Sequence, residues 1–236
     1  MISLHEVDEL NSRLGDAHPA DVLKWAFTSI PDLAIAVSFQ VGGLVNVHMA
    51  RQVIDRPVPV LFIQTGFHFP ETIGFRDRIV SDWGLELIET RPTLGPERQA
   101  AEVHPRLYEV DPDRCCELNK VRPLQEVLDG LGGWVTGLRR DQGATRRETK
   151  VVDVQTLHSG REIWKVNPLA TWTASEVWRY AEEHDIPTHP LYDRGYLSIG
   201  CAPCTRPVRE GEDARAGRWA GREKTECGIH GLGRTG

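Results

Sequence analysis

The chain reads as an α/β protein with a mostly parallel sheet and helices on both faces, and three observations lead there. Short apolar runs of strand length recur at residues 33–37, 58–63 and 85–89 with helix-patterned stretches between them, which is a βαβαβ series. A fourth run, 134–138, follows another helical stretch. Three of the four runs end in polar turns: Ser38-Phe-Gln-Val-Gly-Gly43, Gln64-Thr-Gly-Phe-His68 and the basic loop that begins Arg139-Arg140. In sheets of this kind ligands sit beyond the carboxyl ends of the strands. With 236 residues and 40% hydrophobic content the chain can bury one large core, expected over 1–219, followed by a mobile C-terminal tail, 220–236.

The elements follow in order. Residues 4–14 and 19–29 carry helical patterns; Pro19 suits a first turn, and Leu23, Ala26 and Phe27 share a face. The strand at 33–37 runs into the Ser38 turn and then a helix through Val45, His48 and Met49. Such a turn offers free backbone N–H groups and a helix N-terminus to an anion. It is not a Walker A loop, since the Gly-Lys-Ser/Thr ending is absent, and it lacks the dinucleotide glycine spacing. Residues 113–129 form a helix that bears Cys115, Cys116 and Lys120, with Val121, Leu124 and Leu128 on its apolar face. Two short β segments, 151–154 and 162–165, come next. Thr173-Ala-Ser-Glu176 is a capping box, flanked by Trp172 and Val177 as a hydrophobic staple, and opens a helix to His184. Pro187, Pro190 and Gly195 then lead into Cys201.

A net charge of −6 argues against a general nucleic-acid binder. Arginines nevertheless cluster at Arg139-Arg140, Arg146-Arg147 and along Arg206, Arg209, Arg215, Arg218 and Arg222, which suits a small polyanion; the bland alternative is a solvated surface. The N-terminus carries acids where a signal peptide would be basic, and no run approaches the roughly 18 apolar residues of a membrane span. A cytoplasmic protein without membrane contact is expected.

Four of the five cysteines form two close pairs, Cys115-Cys116 and Cys201-Ala-Pro-Cys204, while Cys227 stands apart in Glu-Cys-Gly-Ile-His. Four thiolates suit an iron-sulfur cluster or a structural zinc ion. Zinc sites usually present two spaced pairs; adjacent cysteines point apart and fit a larger cluster better. Zinc and metal-free thiols stay open on the ligand rules alone. A disulfide framework does not fit five cysteines in a chain of this size.

Several stretches together carry a family resemblance: Thr65-Gly-Phe-His-Phe-Pro-Glu-Thr72, Cys115-Cys-Glu-Leu-Asn-Lys-Val-Arg-Pro-Leu124, Gly137-Leu-Arg-Arg-Asp-Gln142, Lys165-Val-Asn-Pro-Leu169, Cys201 through Pro207, and Lys224-Thr-Glu-Cys-Gly-Ile-His230. The chain resembles the assimilatory adenylyl-sulfate (APS) reductases of the PAPS/APS reductase group. That resemblance implies an adenine nucleotide alpha hydrolase-like fold and one 4Fe-4S cluster on Cys115, Cys116, Cys201 and Cys204. It implies Cys227 as nucleophile, and reduction of APS to sulfite and AMP through an S-sulfocysteine, with thioredoxin as electron donor, in sulfate assimilation and cysteine biosynthesis. By the same matching, Lys120, Arg215 and Arg218 hold the phosphosulfate, Arg139 belongs to the basic loop, and Ser38, Thr65 and Gly66 belong to the substrate turns.

The nucleotide loop departs from the family pattern, because Ser38 to Gly43 contains no acid. Asn119 stands where a basic residue is common, with little expected effect, and His230 is a candidate helper of Cys227. Rival readings are a reductase of the 3′-phosphorylated substrate PAPS, an ATP pyrophosphatase-type adenylating enzyme, and a non-enzymatic metal-binding or redox-sensing protein. Only the APS reductase reading gives all five cysteines a task. A homo-oligomer is compatible with the sequence.

Overall fold

A computed structural model describes residues 2–230. It opens with α1 (Leu4–Leu14), capped by the Ser3 side chain accepting from the Glu6 N–H, and α2 (Pro19–Ser29), whose proline sits where a helix N–H has no partner to lose. The expected alternation follows as β1 (Leu33–Ala36), α3 (Val41–Val53), β2 (Pro59–Ile63), α4 (Pro70–Trp83) and β3 (Glu86–Thr90). Two short helices, α5 (Gly95–Glu102) and α6 (Leu107–Val110), were not indicated by the apolar periodicity. The predicted helix at 113–129 is built in three parts, α7 (Pro112–Cys116), a π turn over Glu117–Val121, and α8 (Arg122–Leu128). The remainder is β4 (Gly133–Val135), β5 (Val152–Thr156), β6 (Glu162–Val166) and α9 (Ala174–Glu183).

Six strands form one sheet in the order β3-β2-β1-β4-β6-β5, parallel except for β5, which runs antiparallel to β6. The two β segments after residue 150 are therefore a hairpin that widens the same sheet. Its exposed edge is blunted by Asn11 of α1, whose amide donates to the Val152 carbonyl (2.7 Å) and whose oxygen accepts the Val152 N–H (3.1 Å). From β1 the chain winds outward to β3 and then returns to β4 on the opposite side of β1. The strand order reverses there, and this switch point is where such sheets bind ligands.

Alternation along the strands separates two cores. Leu33, Ile35, Val60, Phe62, Val135 and Val166 pack with Leu23 of α2, Leu44 of α3 and Val177 of α9. Ala34, Leu61, Trp134 and Ile163 pack on the other face with Leu124 and Leu128 of α8. Helices thus cover both faces, as expected, and each fully buried leucine contributes roughly 1.5–3 kcal/mol. The predicted capping box closes α9: the Thr173 N–H donates to the Glu176 carboxylate (2.6 Å) and the Glu176 N–H to the Thr173 hydroxyl (3.3 Å). Among the described residues no helix is long and apolar enough to cross a membrane.

Candidate active site

At the carboxyl end of the sheet lies a cleft of about 530 Å3. Its floor comes from the ends of β1, β2 and β4, with Ser38, Thr65 and Arg139 in the turns that follow them. Its walls include Lys120 and the segment after α9, which brings Cys201, Arg215, Arg218 and Cys227. Of the residues expected to bind substrate, all but Gly66 line this cleft. Gly66 has a left-handed backbone (φ +79°), its N–H is taken by Gln64 Oε1 (3.0 Å), and a Cβ there would stand 2.5 Å from Pro96 Cγ. Its role in the structure is to let α5 close over the Thr65 turn, and it does not line the cleft.

The long arginine run separates into different tasks. Arg215 and Arg218 reach the cleft. Arg206 pairs with Glu212 (2.8 Å), and Arg222 donates to the Tyr108 carbonyl. Arg139 reaches the cleft while its Nε holds Asp141 (2.9 Å). Arg218 lies over the Trp219 ring (4.5 Å), and its buried Nε has no hydrogen-bond partner among the described residues. A buried guanidinium N–H without an acceptor is costly, and an anion in the cleft would satisfy it.

The acid-free Ser38 loop is built around Phe39, a buried residue in the left-handed region (φ 55°). Gln40 then crosses to the segment before Cys201: its amide donates to the Ile199 carbonyl (3.0 Å), and its oxygen accepts the Ile199 N–H (2.8 Å). Tyr192 adds a bond by accepting the Val41 N–H (3.2 Å). The departure from the family pattern therefore gives a strap between the loop and the cysteine segment.

Behind Lys120 is a second, smaller cavity lined by Cys115, Cys116, Cys201 and Cys204, with Phe67, Tyr108, Asn119 and Trp219 around them. The π turn after Cys116 adds a residue to the helical repeat, and such insertions in helices recur at functional sites. All five cysteines are free thiols. Among the described residues no three His, Cys, Asp or Glu side chains converge on a single-ion position; the four sulfurs instead surround a cavity. Burial, then the nearby Cys201 and Cys204 sulfurs, push the Cys115 thiol up to about 11. Burial and Cys201 likewise raise Cys204. Sulfurs that resist ionisation because they are buried, and secondarily because they lie near one another, are a donor set that a bound cation relieves, and the set is soft. The residues present fit a thiolate-held cluster.

Asn119, expected to matter little, is buried and central to this cavity. Its amide nitrogen lies 2.5 Å from Gln99 Oε1, 2.8 Å from the Cys115 carbonyl and 3.6 Å from Cys115 Sγ. Thr65 plays a matching part opposite, its hydroxyl 3.4 Å from Cys201 Sγ. Neither contact is visible in local sequence pattern.

Lys120, Cys201 and Trp219 line both spaces and so separate them. Burial opposes the Lys120 ammonium, yet the Cys201, Cys227 and Cys116 sulfurs outweigh it and hold the lysine charged above its ordinary value. Cys227 is buried and packs with Cys116 and Trp219. A hydrogen bond from Cys116 leads the effects on Cys227; with Lys120 and Arg218 it overcomes burial and holds the thiol well below the ordinary range. The last six residues of the expected tail, 231–236, and the His230 side chain lie outside the described residues.

A nucleotide-sized cleft at a sheet switch point, a buried thiol facing it among lysine and arginine side chains and four more thiols behind it define an α/β enzyme that works on an anionic nucleotide with sulfur chemistry. Residues 32–207 match the phosphoadenosine phosphosulfate reductase domain model. The chain belongs to that reductase family. It is 46% identical over 218 residues to the adenosine 5′-phosphosulfate reductase of Streptomyces coelicolor, covering 92% of this chain and 90% of that one. It is 42% identical to the enzyme of the same name from Halalkalibacterium halodurans, covering 95% and 96%. A phosphoadenylyl-sulfate reductase from Candida auris, solved with phosphate, superposes with a TM-score of 0.75 at 31% identity over 86% of this chain and 97% of that one. A U34-tRNA thiolase from Methanococcus maripaludis, solved with its [4Fe-4S] cluster, shares the fold at a TM-score of 0.50 and 13% identity, covering 73% of this chain and 65% of that one.

Proposed function

We propose that the chain reduces adenylyl sulfate (APS) to sulfite and AMP in sulfate assimilation. The observation that carries this is the division of the five thiols: four line one small cavity, and Cys227, outside that set, faces the cleft with Lys120, Arg215 and Arg218. The names of the relatives at 42–46% identity support the same reading.

The chemistry follows from these groups. The Cys227 thiolate attacks the sulfur of APS; an S–S bond forms, the bond from that sulfur to the phosphate oxygen breaks, and AMP leaves with the electron pair. Arg215, Arg218 and Lys120 neutralise the charge gathering on the leaving phosphate. The product is S-sulfocysteine at Cys227. A dithiol reductant of the thioredoxin type then attacks Cys227 Sγ and expels sulfite; its second thiol resolves the mixed disulfide, and two electrons pass from the dithiol to the sulfonyl sulfur. Cys227 is 9% exposed when docked, so the segment from residue 220 must swing out for this second half.

Cys115, Cys116, Cys201 and Cys204 would hold a 4Fe-4S cluster, which when bound would support the site and its electrostatics. Five unpaired thiols suit a reducing, cytoplasmic setting. The test is an anaerobic rate assay with a dithiol donor. APS should give AMP and sulfite in equal amounts and the 3′-phosphorylated nucleotide far less; Cys227→Ser should give neither. Faster turnover of the 3′-phosphorylated form would transfer the assignment to that substrate, and AMP release by Cys227→Ser would remove it.

A further inference from the structure

We propose that Glu226 is a latch for the nucleophile: its carboxylate, held by Arg146 and Arg215, docks Cys227 against the cleft and releases it when the clasp opens. Glu226 immediately precedes Cys227, and its side chain faces away from the sulfur chemistry onto the loop after β4. There Arg146 grips it with two donors, Nε to Oε1 at 2.8 Å and Nη2 to Oε2 at 2.7 Å. Thr145 Oγ1 donates to Oε1 (3.0 Å), and Arg215 Nη2 reaches Oε2 (3.3 Å) and the Thr225 carbonyl (3.1 Å). The bidentate guanidinium–carboxylate fork is the strongest and most directional ion pair available to side chains.

The clasp is anchored firmly on one side only. Arg146 is buried, and its remaining nitrogen donates to Gln142 Oε1 (2.5 Å), which also accepts the Arg139 N–H (3.0 Å). The socket is thus continuous with the cleft-lining Arg139 loop. Glu226 belongs instead to a stretch of turns, and Cys227 and Ile229 supply its apolar contacts with Cys116 and Trp219. The charge-assisted bonds at Glu226 therefore hold the sulfur in register. Lys224 adds a second tie, to Asp113 ahead of the Cys115 pair, but Asp113 is exposed and screened.

Arg215 links the latch to the cleft, since it lines the cleft and holds Glu226 together. Two guanidiniums, Arg146 and Arg215, share this one carboxylate, and the Arg218 charge acts on Arg215 from nearby. Arg215 bonds Glu226 from one side and lines the cleft on the other, where a second anion can reach it. A sulfate or phosphate in the cleft is that anion and tightens the clasp; its departure loosens the clasp. Occupancy of the cleft and docking of Cys227 are thereby coupled. Glu226 is a positioning residue that touches no reacting atom.

The inference rests on Cys227 as the nucleophile, and its test reads docking without turnover. Iron-loaded wild type, Glu226→Gln, Arg146→Gln and the double variant are treated with iodoacetamide, and alkylation of Cys227 is followed by peptide mass, with and without AMP plus inorganic sulfate. Each single variant should react about tenfold faster, which corresponds to ~1.4 kcal/mol of lost docking. The double variant should react no faster than the singles, and the anions should protect wild type but not Glu226→Gln. Single variants alkylated at the wild-type rate, or a double variant equal to the product of the singles, would overturn the latch. Should Arg146→Gln fail to fold, the near-isosteric Glu226→Gln decides alone. A Cys227 that opens on cue yet takes no sulfonyl group would leave the latch standing and remove the functional reading.

Discussion

Replacing Gly200 by alanine isolates the contribution of Arg218 without touching the arginine itself. An ideal Cβ at Gly200 would stand 2.2 Å from Arg218 Nη2, 2.4 Å from Cζ and 3.0 Å from Nε. The first two distances are well inside contact, so the guanidinium, the movable end of a flexible side chain, must leave its place over Trp219. Gly200 does not use the left-handed backbone region that would make alanine strained in itself. The cost therefore falls on anion binding. A hydrogen bond to a charged group is worth about 1.5–3 kcal/mol, which predicts a loss in kcat/KM of roughly 10- to 150-fold. The assay is initial-rate kinetics with APS, together with urea unfolding and visible absorbance to check fold and cluster content, because Cys201 is the next residue. Wild-type kcat/KM in a folded Gly200→Ala protein would refute the placement of Arg218 at the transferring group.

Other predictions concern the cavity, the core and pH. Asn119→Leu leaves Gln99 Oε1 buried without its donor; a stability loss of about 1–3 kcal/mol by urea unfolding is expected, with lower iron retention. Anaerobically purified protein should be brown and carry about four irons per chain, and Cys201→Ala should be pale. Thr173→Ala should cost about 1 kcal/mol through the lost cap, measured as a shift in the urea midpoint. His189, 1% exposed, donates to Thr72 Oγ1 and accepts the Leu191 N–H, and burial lowers its pKa from 6.5 to about 4. The unfolded chain binds this proton between those values and the folded one does not, so stability is full above pH 6.5 and falls as pH drops toward 4. The loss by pH 4 should be about 3 kcal/mol, and His189→Gln should flatten that limb of a urea–pH series.

The sheet was legible because β1, β2 and β4 are short apolar runs bounded by turns, and the Pro19 and Thr173 helix starts are local signals. The cysteine frame was legible because its pairs are unusual wherever they sit. The hairpin of β5 and β6 could be seen as strands but not assigned to a sheet, since pairing with β4 is a long-range fact. Asn119, Gln40 and Glu226 were passed over for the same reason: each acts on a partner distant in sequence, at Gln99, Ile199 and Arg146. Gly66 shows the same limit from the other side. A glycine in a polar turn at a strand end looks like an anion contact, and its steric duty toward Pro96 appears only once α5 is folded over it.

The central claim is that Cys227 alone accepts the sulfonyl group. Intact-mass spectrometry of the iron-loaded protein, mixed with APS in the absence of any reductant, tests it most directly. The account predicts one added SO3 per chain, mapped to Cys227, lost on addition of a dithiol and absent from Cys227→Ser. An adduct on the serine variant, or an unmodified wild-type protein that has nevertheless released AMP, would contradict it.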